Sequence, residues 1–116
     1  MANYEKLLLS GSTNGRPTKI TATTVGAANT IHTAHATSLD EFVLTAWNTD
    51  SVERTLTLRY GDDADILPYL LPANSGPVQI APQLSHLLAT GSIVIKAYAD
   101  AANVVWLAGC VNRITA

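Results

Sequence analysis

DEFVLTAWNTDSVERTLTLRYG, residues 40–61, is two β-rich runs around the polar bend Asn48, Thr49, Asp50 and Ser51, which is a hairpin signal. In the second run Leu56, Leu58 and Tyr60 alternate with Thr55, Thr57 and Arg59, so one side enters a core while the other stays wet. The first run alternates less cleanly. Phe42, Leu44 and Ala46 take one face and Val43, Thr45 and Trp47 the other, which leaves a strand largely apolar on both sides. Such a strand needs two partners. The stretch therefore predicts a β-sheet protein with surplus apolar surface, and no motif in it announces a reaction.

Working outward, residues 92–99 and 103–114 form a second candidate pair, joined by Asp100, Ala101 and Ala102. In the later run Val104, Trp106, Ala108 and Cys110 face one way and Val105, Leu107, Gly109 and Val111 the other, again with neither face polar. Residues 66–71 read as a strand interrupted by Pro68, which belongs at an edge or bulge. Residues 78–81 are a short strand, and only residues 83–89, with Leu84, Leu87 and Leu88 at helical spacing, suggest a helical turn. Residues 19–24 and 30–34 are Thr-rich and β-prone around a bend at residues 26–29. About eight short strands with almost no helix predict an all-β antiparallel β-sandwich, immunoglobulin-like or jelly-roll, over residues 18–116. Residues 1–17 read differently. A short strand at residues 4–9 is followed by SGSTNGRP, turn and linker chemistry, so this segment is expected to be an extended N-terminal arm attached to the body.

The 116 residues leave room for one domain, 47 % hydrophobic and only 14 % charged against roughly 25 % in ordinary soluble domains. So weakly charged a surface suits assembly. The net charge of −2 hides a basic first third, with Lys6, Arg16 and Lys19 against Glu5 alone, too few cations for a nucleic-acid patch. No apolar run approaches the roughly 20 residues of a membrane span, and Ser10, Gly11 and Ser12 cut off the leucines that imitate a signal peptide. Cys110 is the single cysteine, so no disulfide forms within the chain, and synthesis in a reducing cytoplasm is expected.

Candidate chemistry is thin. His32 and His35 have the spacing of metal ligands on a helix, but in a β-prone segment odd separation sends them to opposite faces, and they read as polar strand-end residues. Asp62, Asp63 and Asp65 lack the ligand ladder of a calcium loop, since Ala64 and Ile66 stand where ligands would. GSTNGR misses the phosphate-loop pattern and any following helix. Ser75 and His86 make no nucleophile elbow, and Cys110 reads as an inert small hydrophobe. The chain is therefore expected to be no enzyme and to need no metal or cofactor. Trp47 and Trp106 suit a sugar-stacking platform, but among apolar neighbours they read better as core or subunit contacts. With Tyr4, Leu7, Leu9 and Arg16 of the arm they form the predicted interface set.

EKLLLSGSTNGRPTKI (residues 5–20), TIHTA (30–34), VLTAWNT (43–49) with LTLRYG (56–61), PANSGPVQIAP (72–82) and VVWLAGCVNRI (104–114) together resemble small structural proteins of tailed bacteriophages. The resemblance implies a virion component without catalysis, and within that class a capsid decoration or cement protein. Such a protein binds the major coat protein, stabilises the DNA-filled head from the capsid surface, and self-associates, a trimer being the state the resemblance favours. With the short apolar runs and few cations noted above, neither a membrane nor direct nucleic-acid contact is expected. Two other roles fit the same residues: an adaptor at the neck, tail or head-fibre base, and a carbohydrate-binding module for host attachment.

Overall fold

The computed structural model describes residues 3–62, 66–81 and 88–115. Among these described residues ten strands form two antiparallel sheets packed into a sandwich. The first sheet runs β1 (Asn3–Leu8), β10 (Val105–Thr115), β4 (Leu39–Asn48), β7 (Val78–Ala81), with the two-residue strands β2 (Thr18–Lys19) beside β10 and β8 (Leu88–Ala89) beside β4. The second runs β3 (Asn29–Thr33), β9 (Val94–Ala99), β5 (Arg54–Tyr60), β6 (Ile66–Leu71). The all-β sandwich read from the sequence is the observed fold. Its wrapping is that of a jelly roll, because among the long strands only β5 and β6 are neighbours both in sequence and in a sheet.

That wrapping overturns the hairpin expected at residues 40–61. β4 pairs with β10 and β7 in one sheet, and β5 pairs with β9 and β6 in the other. The polar bend is a corner that crosses the sandwich. Asn48, 1 % exposed, holds it: its Nδ2 donates to the carbonyls of Val52 (2.9 Å), Leu71 (3.3 Å) and Pro72 (3.1 Å), and its Oδ1 accepts the Asp50 N–H at 2.9 Å. Arg54 closes the turn on Asp50, Nη2 to Oδ2 at 2.7 Å. The same correction applies to residues 92–99 and 103–114. They become β9 and β10 in opposite sheets, and the corner is tied by the Asn103 N–H to the Ile20 carbonyl. Alternation fixes which face of a strand is buried, and it says nothing of which strand lies alongside.

The expected arm is also corrected. Residues 3–8 pair in register with β10 of the same chain, from Asn3 opposite Thr115 to Leu8 opposite Cys110, so the segment is the edge strand of the first sheet. Residues 10–17 then cross to the second sheet. Gly11 donates to the Ile31 carbonyl at 2.9 Å, and a Cβ at Gly11 would collide with the carbonyl oxygen of Thr30, so the close approach needs glycine. Pro68 stands, as expected, on an edge strand, β6. The helical turn expected at 83–89 lies outside the described residues except for 88 and 89, which are strand.

The core lies between the sheets. Phe42, Leu44 and Ala46 of β4 and Val105, Leu107 and Val111 of β10 meet Leu56 and Leu58 of β5 and Ile95, Ala97 and Ala99 of β9, all fully buried. Burying each large side chain contributes roughly 1.5–3 kcal/mol, which is what holds two sheets with no disulfide together.

Candidate docking face

The other faces of β4 and β10 lie outside the sandwich. Residues directly opposite in adjacent strands point to the same side, so the register reads out this surface row by row. Trp47 stands opposite Trp106, and Lys19 opposite Trp106 on the far side, with its Nζ 5.4 Å from the Trp106 ring centre. Farther along, Leu8, Cys110 and Val43 form one row and Lys6, Asn112 and Glu41 the next. Leu39, opposite Ile114, closes the face and is 40 % exposed, and Leu8 is 58 % exposed. Trp47, Val43, Trp106, Ala108 and Cys110 are half-buried. An antiparallel sheet with one solvated face ordinarily turns polar residues outward. This one presents two tryptophans and a run of small apolar groups.

The predicted interface residues separate. Trp47 and Trp106, far apart in sequence, come together. Tyr4 occupies the register position opposite Ile114. Leu7 faces inward and packs against the core, and Leu9, 2 % exposed, is part of the core and so leaves the interface set. The reason is phase: β1 turns Leu7 inward opposite Val111 and Leu8 outward opposite Cys110, so Leu8 is the exposed leucine of the three. Arg16 is exposed in the 10–17 loop, lining a shallow cleft of about 320 Å³ with Gly11, Thr13, Pro17 and Thr18.

Sequence reasoning missed a buried charge cluster. Asp40 is 0 % exposed and accepts from Arg113 Nε (2.7 Å) on Oδ1, and from Arg113 Nη2 (3.0 Å), the His35 N–H (3.3 Å) and His32 Nε2 (2.7 Å) on Oδ2. The Ser10 N–H donates to His32 Nδ1 at 3.0 Å, so the ring proton sits on Nε2. Burial pushes the Asp40 carboxyl up, but the hydrogen bonds from Arg113 and His32 and the charge of Arg113 outweigh it and hold it below the ordinary carboxylate range. A signal was present, because Asp40 continues the inward series of Phe42, Leu44 and Ala46, and Arg113 that of Val105, Leu107 and Val111.

Ser10, His32 and Asp40 imitate a hydrolytic triad without its geometry. Ser10 presents its backbone N–H to His32, while its Oγ accepts the Thr33 N–H at 2.7 Å, and His32 is 2 % exposed. The arrangement ties the 10–17 loop to β3. His35 takes the N–H groups of Thr37 (3.1 Å) and Ser38 (2.9 Å) on Nδ1 and shapes a turn. Among the described residues no three His, Cys, Asp or Glu side chains converge as metal ligands, and no helix is long and apolar enough to cross a membrane. Asp63 and Asp65 of the acidic loop lie outside the described residues.

No family model matches the chain, and neither the curated proteins nor the solved structures contain a match to it.

Proposed function

We propose that this chain is a non-enzymatic structural protein of a tailed-phage particle, a decoration protein that seats on the coat-protein lattice at the capsid surface and stabilises the DNA-filled head. The observation that carries the reading is the apolar outer face of the β1–β10–β4–β7 sheet, which suits assembly better than solvent. The segment resemblance to phage structural proteins supplies the class of particle. The jelly-roll wrapping, shared by viral capsid domains but also by lectins and cupins, supports it only by analogy. Many weak contacts repeated over a closed shell add up to firm attachment, so stabilisation needs no turnover, metal or nucleotide.

Two half-buried tryptophans at opposed register positions favour one second reading, a carbohydrate-binding attachment module, since indole faces stack well on sugar rings. Lys19 already occupies one approach to Trp106, which weighs against it. Particles made without the protein separate the roles. Under the decoration reading they assemble, join tails and adsorb normally, but release DNA sooner on heating. Full heat resistance with lost adsorption would replace that role by host attachment, and full heat resistance with failed tail joining by a neck or tail adaptor.

A further inference from the structure

We infer that the outer face of the β1–β10–β4–β7 sheet pairs with the same face of a second copy of this chain, about a two-fold axis running along β10. The inference names the partner of the face on which the proposed function rests, and it rests on that reading in taking this face as the assembly surface. The row Lys6, Asn112, Glu41 is positive, neutral and negative in order across the sheet. A half-turn about β10 reverses each row, so Lys6 meets Glu41 of the second copy and Glu41 meets its Lys6. The same rotation places Leu8 over Val43 of the second copy, apolar against apolar, and Lys19 over its Trp47, a cation on an indole face.

The alternative is worse. An axis across the strands, through Cys110 at the middle of the face, sets Glu41 over Thr45 of the second copy and brings Lys6 to no opposite charge. From Trp106 to Ile114 at about 3.3 Å per residue, across the strands β1, β10 and β4 that the axis along β10 superimposes, about 4.8 Å apart, the overlap covers roughly 380 Å² per copy and about 760 Å² in all, the size of a weak, concentration-dependent contact. An isologous contact of this kind closes on itself, and aligned sheet packing accommodates it.

The test uses the full chain. Cys110 lies in the central column of the face, next to the axis, and two facing sheets are about 10 Å apart, so a short bismaleimide spacer should link Cys110 to Cys110 in the native dimer. Sedimentation equilibrium should give a dimer that K6E weakens about tenfold or more and E41K likewise, with K6E/E41K restoring it, because the swapped charges again face each other. Unchanged melting temperatures would show that the variants fold. A monomer at every concentration, a dimer indifferent to K6E, or a double variant no tighter than the single ones would each overturn the inference. A monomer that still co-sediments with coat shells overturns the dimer and leaves the proposed function standing. A dimer with charge-swap rescue that ignores shells keeps the inference and removes the virion role.

Discussion

At one end of the β4–β10 ladder Asp40 and Arg113 stand opposite each other on the inner face, and at the other end Trp47 and Trp106 stand opposite each other on the outer face. The first end buries charge where a sandwich ordinarily keeps apolar groups, and the second shows aromatic surface where water is expected. What differs is how the misplaced groups are satisfied. Asp40 receives four hydrogen bonds from its own chain, so its end is complete. The indoles stand at opposed register positions with Lys19 over one of them, so theirs is the end that the proposed assembly would cover.

Breaking the inner end should have the largest effect. Asp40→Ala leaves the Arg113 guanidinium and the His32 N–H without their acceptor, and removing one partner of a buried pair costs about 3–5 kcal/mol. The lower figure is expected, since Arg113 is 21 % exposed and reaches water. Urea unfolding should show it as a lower midpoint at unchanged slope. The pH dependence follows with a definite sign. The folded Asp40 pKa is lowered, so its contribution is present above the unfolded carboxylate value of about 3.9 and is lost as pH falls through the folded value. Stability of the wild type should therefore fall below about pH 4, and Asp40→Asn should remove that part of the slope.

The middle of the ladder comes next. A Cβ at Gly109 would collide with the Val43 carbonyl oxygen, so Gly109→Ala should force β10 away from β4 and cost roughly 1–3 kcal/mol by differential scanning calorimetry. Loss of pairing at both ends is expected with it. A variant as stable as the wild type would mean that the two ends are not coupled through this contact.

The outer end should separate stability from assembly. Trp47→Thr and Trp106→Thr remove half-buried indoles that lie outside the core, so monomer unfolding should change by no more than about 1 kcal/mol. Sedimentation should show self-association weakened far more than that. Equal losses in both measurements would place the indoles with the core and collapse the distinction between the two ends.

How much of this was legible follows from what periodicity encodes. The two-faced apolar pattern of residues 42–47 and 104–111 marks the central strands of the first sheet, and Pro68 marks an edge. Partnership was not legible, because the bend at 48–51 has the same polar composition whether it closes a hairpin or turns a corner. Only the Asn48 amide, reaching carbonyls at 52, 71 and 72, distinguishes them, and that needs three dimensions. The docking face was half legible. Both tryptophans were named, but their meeting depends on a register that spans most of the chain, and the leucine phase at residues 7–9 depends on where β1 joins β10.

The smallest effect probes the completeness of the inner end. Tyr60 lies at a ring distance of 6.5 Å from Phe42, which in turn packs edge-on to His32, so its hydroxyl belongs to the same region as Asp40. Unlike Asp40, its buried Oη has no hydrogen-bond partner among the described residues. Burial pushes the phenol up to about 12, so the folded state keeps the proton that the unfolded chain gives up near pH 10. The folded state therefore binds more protons between those values, and stability should fall as pH rises from about 10 to 12. Tyr60→Phe removes both the unpaired hydroxyl and its titration. At neutral pH it should raise stability by about 0.5–1 kcal/mol, since replacing an unsatisfied polar group by its apolar isostere relieves a desolvation cost. Unfolding measured at pH 7 and near pH 11 should show the variant's advantage widening with pH. A destabilised variant at neutral pH would mean that the hydroxyl is bonded, and that the inner end is satisfied at Tyr60 as fully as at Asp40.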